Sequence, residues 1–311
     1  MKVLFLAGPT ACGKTEYAVR LAQEYDGEIV SADSMQVYKY MDIGSAKPTK
    51  EEREAARHWL VDEIDPRNPF NVADYQQMAR AAIEDIASRG KLPIVSGGTG
   101  LYIHSLLYDM DYSAPKGDDA YRQRVWQECG EDPEQVHRRL ESLDPEAAQA
   151  IHPNNVKRML RAIERLEHGE EKLASFAEFQ TLYPGYDSLL LGIDRDRAEL
   201  YDRIDRRVDK ILAEGLEDEV KSLVAMGFTA SDIAMKGIGY KEVIESLQQG
   251  GTARDAADLV KKNTRHYARR QLIWLRRYPQ MRWVTVTGDA FDEDAFRTMK
   301  EWIEPWLATK Q

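Results

Sequence analysis

A chain of 311 residues with 43% hydrophobic and 31% charged side chains can bury one large or two modest cores, which excludes disorder as its main state. No run approaches the roughly 18 apolar residues of a membrane span, and two cysteines, Cys12 and Cys129, are too few for a disulfide framework or a cysteine-rich zinc site. The 43 basic and 53 acidic residues leave a net charge of −10, which argues against a wholly basic nucleic-acid binder but not against a local basic face. The opening MKVLFLAGPT is apolar for too few residues to be a secretion signal, so a cytoplasmic protein is expected.

Along the first hundred residues, strand and helix patterns alternate. Lys2–Ala7 predicts a short strand, and Glu16–Tyr25 a helix with Tyr17, Leu21 and Tyr25 on one stripe. Glu28–Ala32 predicts a second strand. Thr49 with Glu52 is a capping box opening a helix, and Val72–Ser88 is a long amphipathic helix closed by Gly90. Leu92–Ser96 is a third strand, ending in Gly97-Gly98. This rhythm implies an α/β fold, a parallel sheet with helices on both faces. From Ala114 to Asp187 the patterns are helical, broken where Asp132, Asp144 and His152 precede prolines. Ser188–Asp194 then reads as a buried strand. Helices follow near Ala198–Ala213, Leu216–Met226, Tyr240–Gln249 and Ala253–Arg277, then a strand at Arg282–Val286 and a tryptophan-rich terminal helix. The expected organisation is a core of residues 1–113 plus 188–311, with an all-helical domain, 114–187, inserted into it.

Three motifs carry chemistry. Gly8-Pro9-Thr10-Ala11-Cys12-Gly13-Lys14-Thr15 fits the phosphate-loop pattern G-x-x-x-x-G-K-[ST], with a strand before it and a helix after it. Its backbone N–H groups, the helix N-terminus and Lys14 suit a diphosphate or triphosphate, and the Thr15 hydroxyl suits Mg2+. Cys12 reads as a small space-filler within this loop. Asp33, at the C-terminal end of the second strand, sits on the sheet edge that faces ligands in open α/β folds, where a carboxylate can accept a proton. A turn-forming Asp or a helix N-cap is the plainer alternative. Gln36 has an amide able to pair with an adenine edge. Ser96-Gly97-Gly98-Thr99-Gly100 is a weaker, glycine-rich signal that offers the Thr99 hydroxyl.

The six histidines include no H-x₃-H pair, which argues against zinc, and Trp274, Trp283, Trp302 and Trp306 read as core. Basic residues concentrate twice. Lys261, Lys262, Arg265, Arg269, Arg270, Arg276, Arg277 and Arg282 form one stretch. Lys157, Arg158, Arg161 and Arg165 form another, in which 157, 161 and 165 share a helix face. Two such clusters in an acidic chain point to a polyanionic partner.

In this order GPTACGKT, SADSMQVY, IVSGGTGLYI, KRMLRAIE, KGIGYKE and TRHYARRQLIWLRR span most of the chain, which resembles the bacterial tRNA dimethylallyltransferases, or tRNA isopentenyltransferases. The resemblance implies transfer of the dimethylallyl group of dimethylallyl diphosphate to N6 of adenosine 37 in tRNAs reading codons that begin with U. It implies a helical insertion that grips the anticodon stem-loop. Gly8 and Thr10–Thr15 (Thr10, Ala11, Cys12, Gly13, Lys14 and Thr15) would hold the diphosphate, with Mg2+ at Thr15. Asp33 would be the general base, assisted by Thr99 and Arg122, although Arg124 lies close enough to compete for the last place. Asp33, Ser34, Met35 and Gln36, then Lys157, Arg158 and Arg161, then Lys236, Gly237, Gly239, Tyr240 and Lys241 would meet tRNA, with Arg265 and Arg269 from the basic helix. A monomer with no membrane association is expected. Where the family usually has Gln-Arg this chain has Lys157-Arg158, and where it commonly has Ser or Ala this chain has Cys12. The competing readings are a P-loop small-molecule kinase, an adenylate isopentenyltransferase acting on free AMP or ADP, and an RNA-binding ATP switch.

Overall fold

The computed structural model describes residues 1–110, 117–169 and 181–309. The chain divides into two compact units, Met1–Leu107 with Tyr183–Gln311, and Tyr108–Leu182. The boundary expected at 113/114 falls outside the described residues, but Tyr108, Asp109 and Met110, expected in the core, belong to the second unit. At the other end, residues 183–186 belong to the first unit, where the Tyr183 N–H donates to the Leu107 carbonyl at 2.9 Å.

The first unit is an α/β core. Its elements are β1 (Lys2–Ala7), α1 (Lys14–Glu24), β2 (Gly27–Ala32), α2 (Lys50–Ala55), β3 (His58–Trp59), α3 (Val72–Ser88), β4 (Leu92–Gly97) and α4 (Gly100–Leu107). The second unit supplies α5 (Asp119–Glu128), α6 (Pro133–Leu143), α7 (Pro145–Ala150) and α8 (Val156–Glu167). The core resumes with β5 (Asp187–Asp194), α9 (Arg197–Ala213), α10 (Leu216–Ala225), a 3₁₀ turn (Ala234–Lys236), α11 (Tyr240–Gln248), α12 (Ala257–Leu275), β6 (Arg282–Thr285) and α13 (Glu293–Ala308).

The six strands run in the order β3-β2-β4-β1-β5-β6, and every neighbouring pair is parallel. Val3 through Ala7 have no exposure, because a parallel strand in mid-sheet is covered on both faces. Leu4 and Leu6 join Tyr17 and Leu21 of α1 and Phe296, Met299 and Ile303 of α13 in one core. A second core, with Val37, Tyr38 and Met41 packed on Val208, Leu216, Val220, Tyr240 and Val243, fastens the segment after β2 onto α9–α11. Each fully buried Leu, Val or Phe contributes about 1.5–3 kcal/mol. Register decides where a site can form. Ala7 and Ala32 both lie opposite Gly97, so the loops leaving β1, β2 and β4 emerge level on the C-terminal edge.

Sequence and structure differ further at α4, which is not among the expected elements, at β3 and at the start of α12. The strand β3 has two residues, too few for an alternation to show. The helix expected from Ala253 begins at Ala257, because Asp255 turns back to accept from the N–H and hydroxyl of Thr252. The helical unit closes on Val125, Val136, Leu140, Met159 and Ile163. Asp118, Asp132, Asp144 and Asn155 cap its helices, so the Asp-Pro breaks are helix starts. Among the described residues no helix is long and apolar enough to cross a membrane.

Candidate active site

Between β1 and α1 the chain must reverse within six residues. Ala11 (φ 62°) and Gly13 (φ 97°) adopt left-handed backbone at the start of α1, the kind of turn from which anion-holding nests are built. The carbonyls of Ala11 and Cys12 are received by Arg203 Nε at 3.1 Å and Arg195 Nε at 2.9 Å. Cys12 is fully buried, and a Cβ at Gly8 would lie 2.8 Å from its sulfur, so thiol and glycine fit as a pair. The Lys14 ammonium donates to the Pro9 carbonyl at 2.7 Å. Gln271 ties two loops together. Its Oε1 accepts from the Thr10 N–H at 2.8 Å, and its Nε2 donates to the Gly98 carbonyl at 3.0 Å.

Beyond β2 the Asp33 carboxylate folds over its own turn. Oδ1 accepts from the N–H groups of Met35 (2.9 Å) and Gln36 (3.4 Å), as in an Asx turn. Its Oδ2 accepts no hydrogen bond among the described residues, so the turn-forming reading of Asp33 holds for one oxygen and leaves the other open. Thr99 holds this turn against β4. Its N–H donates to the Ala32 carbonyl at 3.0 Å, and its Oγ1 accepts from the Ser34 N–H at 3.1 Å. The Gln36 amide is held at both ends, Nε2 donating to the Ala46 carbonyl and Oε1 accepting from the Ser31 hydroxyl, each at 3.2 Å. Met35 packs against Gly237.

Thr10, Lys14, Asp33, Met35, Gln36 and Gln271 line one cavity of about 650 Å³, together with Thr15, Arg203, Arg207, Lys210, Lys236, Tyr267 and Arg270, whereas Cys12, Thr99 and Arg195 are not part of its lining. Its cations outnumber its acids, Glu16, Asp33 and Glu52. Arg207 makes no ion pair among the described residues. Burial lowers its pKa from the usual guanidinium value, and the Asp33 carboxylate opposes that shift. Burial, and then the Asp33 carboxylate, push Tyr267 up to about 12, so it remains a neutral phenol. The Thr15 hydroxyl and the Asp33 carboxylate are hard oxygen donors. Among the described residues no group of three or more His, Cys, Asp or Glu gathers to hold a metal. That set suits Mg2+ carried by substrate phosphates and met by one or two protein oxygens, and does not suit an all-protein metal cage.

Sequence reasoning did not find Arg195, Arg203, Arg207, Tyr267 or Gln271. In Asp202-Arg203-Ile204-Asp205-Arg206-Arg207-Val208-Asp209, acids and bases intermingle as on a solvated helix face. The available signal was spacing, since Arg203 and Arg207 flank the buried Ile204 and Val208 at i, i+4.

Comparison with known proteins locates the fold. The profile of the IPP transferase family matches residues 36–278. The tRNA dimethylallyltransferase of Acetivibrio thermocellus is 46% identical over 294 residues, 94% of this chain and 93% of that one. That of Exiguobacterium sp. is 47% identical over 292 residues, covering 93% and 92%. The chain belongs to the IPP transferase family. Among solved structures, the full-length tRNA isopentenylpyrophosphate transferase of Bacillus halodurans is 38% identical with a TM-score of 0.74, covering 98% of this chain and 96% of that one. A eukaryotic dimethylallyltransferase acting on tRNA reaches a TM-score of 0.86 at 28% identity, covering 100% and 80%.

The remaining segments that resemble RNA contacts of the family divide by exposure. Lys236 is exposed and lines the cavity, and Lys241 is exposed beside Glu245 at 3.6 Å. Gly237 and Gly239 are buried. Tyr240 is 1% exposed, its hydroxyl bound to Glu219, which removes it as a direct RNA contact. On α12, Arg269 is exposed, whereas Arg265 is paired with Asp205. In the helical unit Lys157 and Arg158 are exposed. Arg122 and Arg161 converge on the buried Glu164, at 2.6 and 3.0 Å. Burial raises the Glu164 pKa, but the Asp118 N–H and these two guanidiniums outweigh it and hold the carboxyl below its usual range. Arg122, expected at the reacting centre, therefore has Glu164 and Asp119 as its partners here.

Proposed function

We propose that this chain transfers the dimethylallyl group of dimethylallyl diphosphate to N6 of adenosine 37 in tRNAs whose codons begin with U, releasing diphosphate. One observation carries the reading. A phosphate-loop nest, a carboxylate with a free oxygen and a pinned amide line the same cavity at the level ends of β1, β2 and β4.

The C1–O bond of an allylic diphosphate breaks readily because the developing cation is delocalised. Charge then accumulates on the departing diphosphate, where loop N–H groups, Lys14 and Arg207 stabilise it more than they stabilise the ground state. Thr15 would hold Mg2+, which neutralises part of that charge when bound. The N6 amine is a poor nucleophile, its lone pair being conjugated with the ring. As N6 bonds to C1, Asp33 Oδ2 takes the N6 proton, so the products are the prenylated base, diphosphate and one proton. Adenosine 37 must leave its stack to enter the cavity. Exposed Lys157 and Arg158 of the helical unit, and the exposed cations of α12 in the core, are each suited to bind tRNA phosphates. Family membership and the full-length match to tRNA dimethylallyltransferases support this reading over a kinase or an AMP prenyltransferase.

The test is to incubate the chain and Mg2+ with dimethylallyl diphosphate and either tRNA or AMP, then digest the tRNA and weigh its nucleosides. The expected product is prenylated adenosine at position 37 of the U-reading tRNAs. Prenylated AMP with untouched tRNA, or turnover only with ATP and a small acceptor, would replace the proposal.

A further inference from the structure

Outside the cavity, Glu219 makes an arrangement that the reaction does not explain. Oε2 of this half-buried carboxylate on α10 accepts from the N–H groups of Asp42 (2.8 Å) and Ile43 (2.7 Å). Oε1 accepts from the N–H of Gly44 (3.0 Å) and the hydroxyl of Tyr240 (2.7 Å). Three successive backbone donors thus close on one side chain. The Tyr240 oxygen in turn accepts from the Ser45 N–H at 3.1 Å. The loop lies directly on the tyrosine ring, for a Cβ at Gly44 would stand 2.5 Å from the ring carbon Cζ. Residues 42–45 are therefore fixed at every N–H by one carboxylate and one phenol.

The next residue is Ala46, whose carbonyl receives the Gln36 amide. Gln36 presents two faces to a ligand only if its amide cannot flip. With one N–H of Nε2 on Ala46 and the Ser31 hydroxyl on Oε1, one donor and one acceptor remain. That is the pair complementary to adenine N7 and N6–H, and a flipped amide would present the reverse. The chain of contacts runs Glu219 to the 42–45 backbone, to Ala46, to Gln36. Gly44, Ser45, Ala46 and Gln36 line the cavity, while Glu219 does not.

We propose that Glu219, with Tyr240, is a positioning residue for base selection, latching the 42–46 loop so that Gln36 is held in the adenine-reading orientation. The proposal rests on the reading of Gln36 as an adenine contact. All four partners of Glu219 are donors, so Glu219→Gln can satisfy only one side, and its NH₂ meets donors on the other.

The test is a double-mutant cycle on kcat/KM for tRNA using Glu219→Gln and Gln36→Ala, with circular dichroism and thermal melting as fold controls. Glu219→Gln is expected to lower kcat/KM by about tenfold alone and by less than about twofold in the Gln36→Ala background, because residues acting through one shared backbone segment are coupled. A general loss of structure would lower both backgrounds equally, and that result overturns the latch. If Gln36→Ala alone leaves kcat/KM unchanged, the adenine reading of Gln36 falls and takes the proposal with it. If Glu219→Gln does not fold, Tyr240→Phe keeps the ring, removes one of the four donors, and carries the same cycle with the same criteria.

Discussion

Asp33 holds its own turn with one oxygen, and the proposed proton transfer falls to the other. Oδ1 is occupied by the backbone of its own turn, and Oδ2 remains for a ligand. Asparagine in the same rotamer retains the Oδ1 acceptor and loses the base. Asp33→Asn should therefore lower the single-turnover rate by on the order of 10²–10⁴-fold, with the tRNA Kd, read by filter binding, within about twofold of wild type. An equal loss in binding would make Asp33 a structural residue. Asp33 was legible in the sequence because it follows a strand next to a phosphate-loop motif. Arg207 was not, because its neighbours Asp205 and Asp209 make the segment look like a balanced surface. Gln271 is neutral within a basic stretch and belongs to no pattern. Its role exists only because α12 brings it against both Thr10 and Gly98.

Among the elements, those with strong periodicity or caps were read nearly to the residue, and the weakest is held by one buried charge. Thr49 and Glu52 form both bonds of the expected capping box on α2, and Val72–Ser88 is α3 as read. The strand β3 was invisible, and it depends on contacts remote in sequence. Glu28 of β2, 4% exposed, accepts from Trp59 Nε1 of β3 at 2.9 Å and from Arg89, after α3, at 2.5 and 2.8 Å. The Arg89 hydrogen bonds lead in lowering the Glu28 carboxyl to about 2, against the penalty of burial. A carboxyl depressed in the folded state stabilises the fold above its unfolded pKa, near 4.5, and loses that contribution as pH falls toward 2. Glu28→Gln should thus cost on the order of 3 kcal/mol at pH 7. The gap in thermal midpoint between wild type and variant should begin to narrow below about pH 5 and continue closing toward pH 2. A gap independent of pH over that range would show that packing of the amide, not the charge, sets the effect.

At the scale of the whole molecule, the question is how a chain of net charge −10 holds a polyanion. The acids are spent on particular cations. Lys261 pairs with Asp209 at 2.6 Å, Arg265 with Asp205, and Arg276 with Asp194 at 2.8 Å. What remains on α12 is Lys262, Arg269 and Arg270, all exposed, at i, i+7 and i+8 on one face and without an ion pair among the described residues. Composition therefore hides the basic surface, and even the local count of basic residues overstates it, because pairing cannot be read from sequence. If this face meets RNA phosphates, removing one cation from a phosphate should flatten the dependence of log K on log salt by about 0.7–0.9. Replacing Lys262, Arg269 and Arg270 together by Gln is expected to reduce the slope of tRNA binding by about 2–3. Replacing the paired Lys261, Arg265 and Arg276 removes the same formal charge and should change the slope by less than about 1, since those cations already have carboxylate partners. Titrations from about 50 to about 300 mM salt distinguish the two triples. Equal slopes would mean that α12 attracts RNA through net charge alone and that the unpaired face has no special part in binding.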